Sequence, residues 1–219
     1  MYYLSRMALN GRRRHTALLL SNPQKMHAAV ESCFYNDDEA QNPRSLWRVE
    51  RHQHRVALWL MSTKVPSFEL LQEQAGWSAE PTWETREYDP LLNRLMRGQQ
   101  YQFRLTVNPT KDSVCADGQK RRLGIFRETD QIQWLLDRQT ELGFQVSKDE
   151  VPTFAVSRSD RVRFRKNDGK GPTVTLQSCQ FDGLLEVNDP EKLKAALTNG
   201  VGRAKAYGFG LLTLAPGTR

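Results

Sequence analysis

One order of periodicities occurs twice along these 219 residues, and it narrows the fold more than any other feature. In the first half Tyr2–Asn10 alternates loosely, as a strand does. Asn22-Pro23 then opens a helix, with Asn as N-cap and Pro at the first helical position. Met26, Ala29, Val30, Cys33 and Phe34 give that helix one apolar face, and Asn36-Asp37-Asp38 ends it. Leu46–Glu50 and Arg55–Ser62 read as a hairpin around His52-Gln53-His54, and Ser67–Gln74 as a short helix. In the second half Tyr101, Phe103, Leu105 and Val107 share one face of a strictly alternating run that stops at Asn108-Pro109. Arg121–Phe126 is a further strand, and Thr129 caps a helix running to Leu142, closed by Gly143. Val162–Arg165 and Val174–Phe181 flank the turn Asn167-Asp168-Gly169; Pro190–Thr198 is a helix and Phe209–Leu214 the closing strand.

Strand, helix, strands, helix, strand, taken twice, predicts an α+β fold of two tandem ferredoxin-like βαββαβ domains, residues 1–90 and 91–219. The stretch from Gly76 to Gly98, with Pro81 and Pro90 among mixed charges, reads as a connector. The length allows one large domain or two of about 100 residues.

Composition decides the class of partner. Lys and Arg outnumber Asp and Glu by 32 to 25, for a net charge of +7, which favours a polyanionic partner, whether RNA, DNA or an anionic membrane. No run approaches the ~20 apolar residues of a membrane span, and Ala17-Leu18-Leu19-Leu20 after Arg12-Arg13-Arg14 falls short of a signal-peptide core. Cys33, Cys115 and Cys179 lack CxxC spacing, and His52 and His54 have no partner set at zinc spacing. Free thiols in a reducing, cytoplasmic setting are expected, with no metal site and no cofactor.

Two segments concentrate the positive charge. Gly200-Val201-Gly202-Arg203-Ala204-Lys205-Ala206-Tyr207-Gly208-Phe209-Gly210 pairs glycines two apart at each end around two cations. Without Cβ atoms, peptide N–H groups at Gly200, Gly202, Gly208 and Gly210 can approach a phosphate, with Arg203 and Lys205 supplying attraction. The competing reading is an ordinary helix-to-strand turn, since the spacing matches neither a dinucleotide fingerprint nor a Walker loop. In the other segment Arg161, Arg163 and Arg165 alternate with Val162 and Phe164, so three guanidinium groups stand on one strand face about 6.7 Å apart. Lys166 and Lys170 extend the charge. Cations do blunt edge strands, but three arginines with no carboxylate between them match phosphate geometry better.

Asn22-Pro23-Gln24-Lys25-Met26-His27, Asn108-Pro109-Thr110-Lys111, the glycine loop and the Arg161–Lys166 hairpin, in this order and spacing, make the chain resemble the CasE family. These are the CRISPR-associated endoribonucleases of the type I-E Cascade system. The resemblance covers nearly the whole chain and is weakest from Gly76 to Gly98. It implies two tandem ferredoxin-like (RRM-like) domains and metal-independent cleavage of precursor CRISPR RNA 3′ of the repeat stem-loop. It also implies 2′,3′-cyclic phosphate and 5′-hydroxyl ends, and retention of the product as a subunit beside other Cascade proteins. The hairpin then lines the RNA stem, and the glycine loop holds phosphates near the cut.

The same resemblance points to His27 as the catalytic residue. RNA brings its own nucleophile, the 2′-hydroxyl, so cleavage needs in-line positioning and proton transfer. An imidazole is available in both protonation states near neutrality, and helical spacing sets His27 at the edge of the apolar stripe, with Glu31 one turn on. Acid and base roles both stay open, and His15 in the basic loop is a second candidate. Some family members carry a tyrosine three residues before the histidine; here that position is Gln24, which can position a phosphate but not transfer a proton at neutral pH. That departure keeps a non-catalytic stem-loop-binding subunit as the alternative. A general single-strand binder would instead expose aromatics on a strand face, for which Tyr101 and Phe103 are the candidates.

Overall fold

The structure, a computed structural model, describes residues 1–34, 45–78, 80–114, 118–166 and 170–217. The expected turns Asn36-Asp37-Asp38 and Asn167-Asp168-Gly169, and Cys115, lie outside those residues. The chain forms two compact units. Unit 1 consists of Met1–Arg94 together with Phe164–Pro172 and Lys205–Gly208; unit 2 takes Leu95–Arg163, Thr173–Ala204 and Phe209–Arg219.

Unit 1 runs β1 (Tyr3–Leu9), α1 (Arg14–Ser21), α2 (Pro23–Glu31), β2 (Leu46–His52), β3 (Arg55–Ser62), α3 (Glu69–Ala75), β4 (Trp83–Glu87) and the short α4 (Asp89–Leu92). Its antiparallel sheet has the order β2-β3-β1-β4, with Leu9 opposite Val56 and Met7 opposite both Leu58 and Trp83. Met7 and Leu9 project from one face of β1 onto Leu19 of α1, Met26 and Val30 of α2, and Phe68 and Leu71 near α3, forming one apolar core.

Unit 2 runs β5 (Gln100–Val107), β6 (Thr110–Val114), β7 (Lys120–Gly124), α5 (Glu128–Leu136), then short strands β8 (Phe144–Gln145), β9 (Ser147–Lys148) and β10 (Val151–Pro152). The long β11 (Phe154–Arg165) and β12 (Thr173–Val187), α6 (Pro190–Asn199) and β13 (Leu212–Pro216) complete it. Its main sheet has the order β11-β12-β5-β13, with Phe181 opposite Leu105 and Leu105 opposite Leu212. The ribbon β6–β7 is a separate excursion. Both sheets therefore carry the βαββαβ order, and the fold is the expected pair of ferredoxin-like units.

Several local expectations need correction. The basic stretch Gly11–His15, which reads as a loop in the sequence, is one only to Arg13, because Arg14 already opens α1. That helix buries only Thr16 and Leu19 and its N-cap Arg13 makes no capping bond, so it carries no start signal. The Gly76–Gly98 stretch is not a mere connector, for it holds the edge strand β4. Its Trp-Glu-Thr-Arg-Glu sequence has one half-buried apolar residue and no readable alternation. Thr129 is not a cap: α5 starts at Glu128 and stops at Leu136, and separate turns carry the chain to Gly143. Gly143 has φ +79°, and a Cβ there would lie 2.4 Å from the Asp189 carbonyl oxygen, which is why glycine stands at this crossing. The closing strand begins later, at Leu212, while β11 and β12 are longer than read because exposed polar residues interrupt their apolar pattern. Among the described residues no helix is long and apolar enough to cross a membrane.

Candidate active site

Helix α2 is set by its first two residues. Asn22 Oδ1 accepts a hydrogen bond from Gln24 N at 2.9 Å, and Pro23 occupies the first turn where its missing N–H costs nothing. Met26 and Val30 then turn inward, with 1% and 0% exposure, and His27 falls at the rim with 35% of its side chain exposed. Its Nδ1 is buried and makes no hydrogen bond among the described residues. The exposed edge of the ring is therefore the one bearing Nε2. Glu31 Oε1 lies 3.8 Å from Nδ1, and the Ser45 hydroxyl is hydrogen-bonded to the same oxygen at 3.0 Å. Gln24 and Lys25 are half-buried beside it.

Two distant stretches of chain complete unit 1 around this helix. The capping residue Asn22 also donates from Nδ2 to the Arg165 carbonyl oxygen at 3.3 Å, tying the tip of the basic hairpin to the start of α2. Phe164 is buried, and its ring meets Tyr207 edge-on at 5.0 Å. The single turn Lys205–Tyr207 packs against α2 and β2. Gly208 follows with φ +84°, so close to Trp47 that a Cβ would lie 2.6 Å from the indole. Arg165, Lys166 and Lys205 thus belong to the same compact body as His27, whereas Arg161, Arg163, Arg203, Gly200, Gly202 and Gly210 belong to unit 2.

In unit 2 the alternation of the hairpin strand is as read: Arg161 and Arg163 are exposed and Val162 is half-buried. The Arg161 guanidinium sits 4.8 Å from the centre of the Phe126 ring, which is 53% exposed. Gly202 and Arg203 are exposed at the margin of a cavity of about 600 Å³, lined also by Lys111, Arg122, Trp134 and Arg138.

The glycine loop differs from expectation in one respect. Gly200 N donates to Ala196 O at 3.0 Å, Gly208 N to Lys205 O at 3.2 Å and Gly210 N to Thr106 O at 2.7 Å, so these three peptide groups already have partners. They shape the loop. Phe209 is core, at 3% exposure. Of the two strand-face aromatics that a single-strand reader would need, Phe103 is buried, whereas Tyr101 is half-buried and its hydroxyl donates to Gln99 Oε1 at 3.0 Å. His15 is exposed at the first turn of α1.

Sequence reasoning missed the second role of Asn22, the Ser45–Glu31 contact and the Arg161–Phe126 stack. Only the last had a local signal, the apolar pair Ile125-Phe126 set between the basic strand β7 and Arg127. The buried thiols are not nucleophile candidates. Burial pushes both Cys33 and Cys179 up to about 12, keeping them protonated.

The comparisons with known proteins bear on the whole chain. The family described as CRISPR associated protein matches residues 2–216. The CRISPR-associated endoribonuclease Cse3 of Thermus thermophilus is 32% identical over 221 residues, covering 98% of this chain and all of that protein. The chain belongs to the CRISPR-associated protein family. A second relative, the CRISPR system Cascade subunit CasE of Escherichia coli, is 35% identical over 124 residues, spanning 52% of this chain and 57% of that protein. The structure of Thermus thermophilus Cse3 bound to an RNA representing a pre-cleavage complex superimposes with a TM-score of 0.80 at 29% identity, over 98% of this chain and 99% of that one. Cse3 bound to a 19-nucleotide RNA gives a TM-score of 0.79 at 28% identity, with coverage of 98% and 99%. The Escherichia coli Cas6e structure, at 23% identity and TM-score 0.61, shares the fold across 99% of this CRISPR-associated chain.

Proposed function

We propose that the protein is an endoribonuclease that cleaves precursor CRISPR RNA 3′ of the repeat stem-loop without a metal ion, and keeps the product as a subunit of a Cascade complex. The observation that carries this reading is the composition of unit 1, in which the rim histidine of α2 shares one body with the Arg165–Lys166 hairpin tip and the Lys205 turn. The family relatives named as endoribonucleases and solved with RNA support it.

In the reaction proposed, the 2′-oxygen attacks the adjacent phosphorus while the bond from phosphorus to the 5′-oxygen breaks. The 2′ proton passes to a base and the leaving oxygen takes one from an acid, which leaves a 2′,3′-cyclic phosphate and a 5′-hydroxyl. His27 Nε2, on the exposed edge of the ring, serves one of these transfers, worth about 10²–10⁴ in rate. Gln24, half-buried one turn before it, positions the phosphate. Arg165, Lys166 and Lys205 neutralise charge near the cut, and Arg161, Arg163, Arg203 and Gly202 hold the stem through its backbone, as A-form geometry requires. Gly200, Gly208 and Gly210 contribute by fixing the loop that presents the cations.

The alternative, a stem-loop-binding subunit without cleavage, is favoured by Gln24 alone. Incubating the protein with a stem-loop repeat RNA in EDTA separates the two. Cleavage at one site, lost in His27→Ala with retention of binding, is expected. Equal cleavage by both forms removes His27 from the chemistry, and tight binding without cleavage by wild type selects the alternative.

A further inference from the structure

The environment of His27 Nδ1 is unusual for a surface histidine. The nitrogen is shut off from solvent yet hydrogen-bonded to nothing among the described residues, while the ring's other edge is open. A buried imidazole nitrogen without a partner is an unfavourable arrangement that a small ring movement can relieve if an acceptor is in reach. One is. Glu31 Oε1 stands 3.8 Å away, one helical turn on, slightly beyond hydrogen-bond range.

That carboxylate does not swing freely at this point. The Ser45 hydroxyl is hydrogen-bonded to Oε1, the oxygen that faces the ring, and Ser45 is itself 7% exposed at the start of β2. A fixed carboxylate on the buried side of an imidazole, with the opposite nitrogen turned outward, is the geometry by which a histidine is held in one tautomer and one orientation. Such a partner does not touch the reacting atoms. It keeps the proton on the inner nitrogen so that the outer one is always the working atom.

We propose that Glu31, braced by Ser45, is the positioning residue of His27: on a rotation of the ring that closes the 3.8 Å gap, Nδ1–H donates to Glu31 Oε1 and Nε2 is fixed toward the scissile linkage. This rests on the reading of His27 as the catalytic imidazole. Neither Glu31 nor Ser45 contacts RNA in this scheme, so the pair acts on rate and not on affinity.

The test uses the full-length protein with Glu31→Gln, Glu31→Ala and Ser45→Ala, each checked for wild-type melting. Three quantities are read: the single-turnover cleavage rate, the affinity for a repeat RNA carrying a 2′-deoxy group at the cut, and the tautomer of His27 by ¹⁵N–¹H long-range correlation. Glu31→Ala should slow cleavage by about 10–100-fold, the range found when the carboxylate partner that orients a metal-bound imidazole is removed. Affinity should change less than about twofold, and His27 should pass from a single Nδ1–H tautomer to a mixture. Glu31→Asp should recover part of the rate. Wild-type rates in both Glu31→Gln and Glu31→Ala overturn the proposal, as does an Nε2–H tautomer in the wild-type protein. If the wild type does not cleave, the functional reading fails instead, and the tautomer with and without Glu31 alone decides the pairing.

Discussion

Cys33 and Cys179 each sit in an apolar surround where their thiols donate weakly to nearby oxygens, Ala29 O at 3.4 Å and Gln131 Oε1 at 3.3 Å. Burial, with the nearby charge of Glu31 for Cys33 and of Glu128 for Cys179, raises both from 9.0 to about 12. Between those values the folded thiols keep protons that unfolded thiols have lost, so the unfolded state binds fewer protons and stability falls as pH rises. Above pH 9 the loss should approach about 1.4 kcal/mol per pH unit per thiol. Urea denaturation at pH 8, 9 and 10 should show this slope in wild type and a shallower one in Cys33→Ala. Identical slopes would mean that the thiol ionises in place.

What single residues disclosed in advance was uneven. His27 could be placed at the rim because its position follows from helical spacing relative to Met26 and Val30. The burial of its Nδ1 could not, because Ser45 arrives from the start of β2, after a segment whose length says nothing about where it returns.

At the level of elements, the glycine loop is held by packing as much as by charge. Gly208→Ala must place a methyl where Trp47 already stands, in a backbone conformation that L-residues avoid. Overpacking of this kind costs about 1–3 kcal/mol, and the damage should reach α2, against which the Lys205–Tyr207 turn packs. The expected result is a lower urea midpoint together with slower cleavage; unchanged stability would show that the indole moves aside freely. Elements with explicit punctuation were readable from sequence. Helices α2 and α6 begin at Asn22-Pro23 and Asp189-Pro190, each with a side-chain cap, and β5 alternates without a fault. Elements lacking such marks were not: α1 has no capping side chain, and β4 is an edge strand dominated by charge.

For the molecule as a whole, the net charge of +7 sets a long-range attraction for RNA that individual side chains modulate. Arg163→Ala should weaken stem-loop binding and reduce the slope of log affinity against log salt by about 0.7–0.9 for each phosphate no longer neutralised. A parallel line displaced downward would instead indicate an uncharged interaction, and no change at all would take the hairpin out of the interface. The two-unit plan was legible because the order of periodicities repeats. The membership of Phe164–Pro172 and Lys205–Gly208 in unit 1 was not, since no local pattern announces a partner so far along the chain. A fragment ending at Arg94 would keep the β2-β3-β1-β4 sheet but leave Trp47 without its Gly208 cover. It should melt earlier than the corresponding transition of the full chain, and adding the fragment's missing segments as a separate polypeptide should recover part of the difference.

Because its last pieces come from so late in the polypeptide, the histidine-bearing half cannot reach its finished form while the ribosome is still short of residue 208. A polypeptide cut short after the first sheet would carry His27 without the Arg165–Lys166 and Lys205 segments that complete its unit.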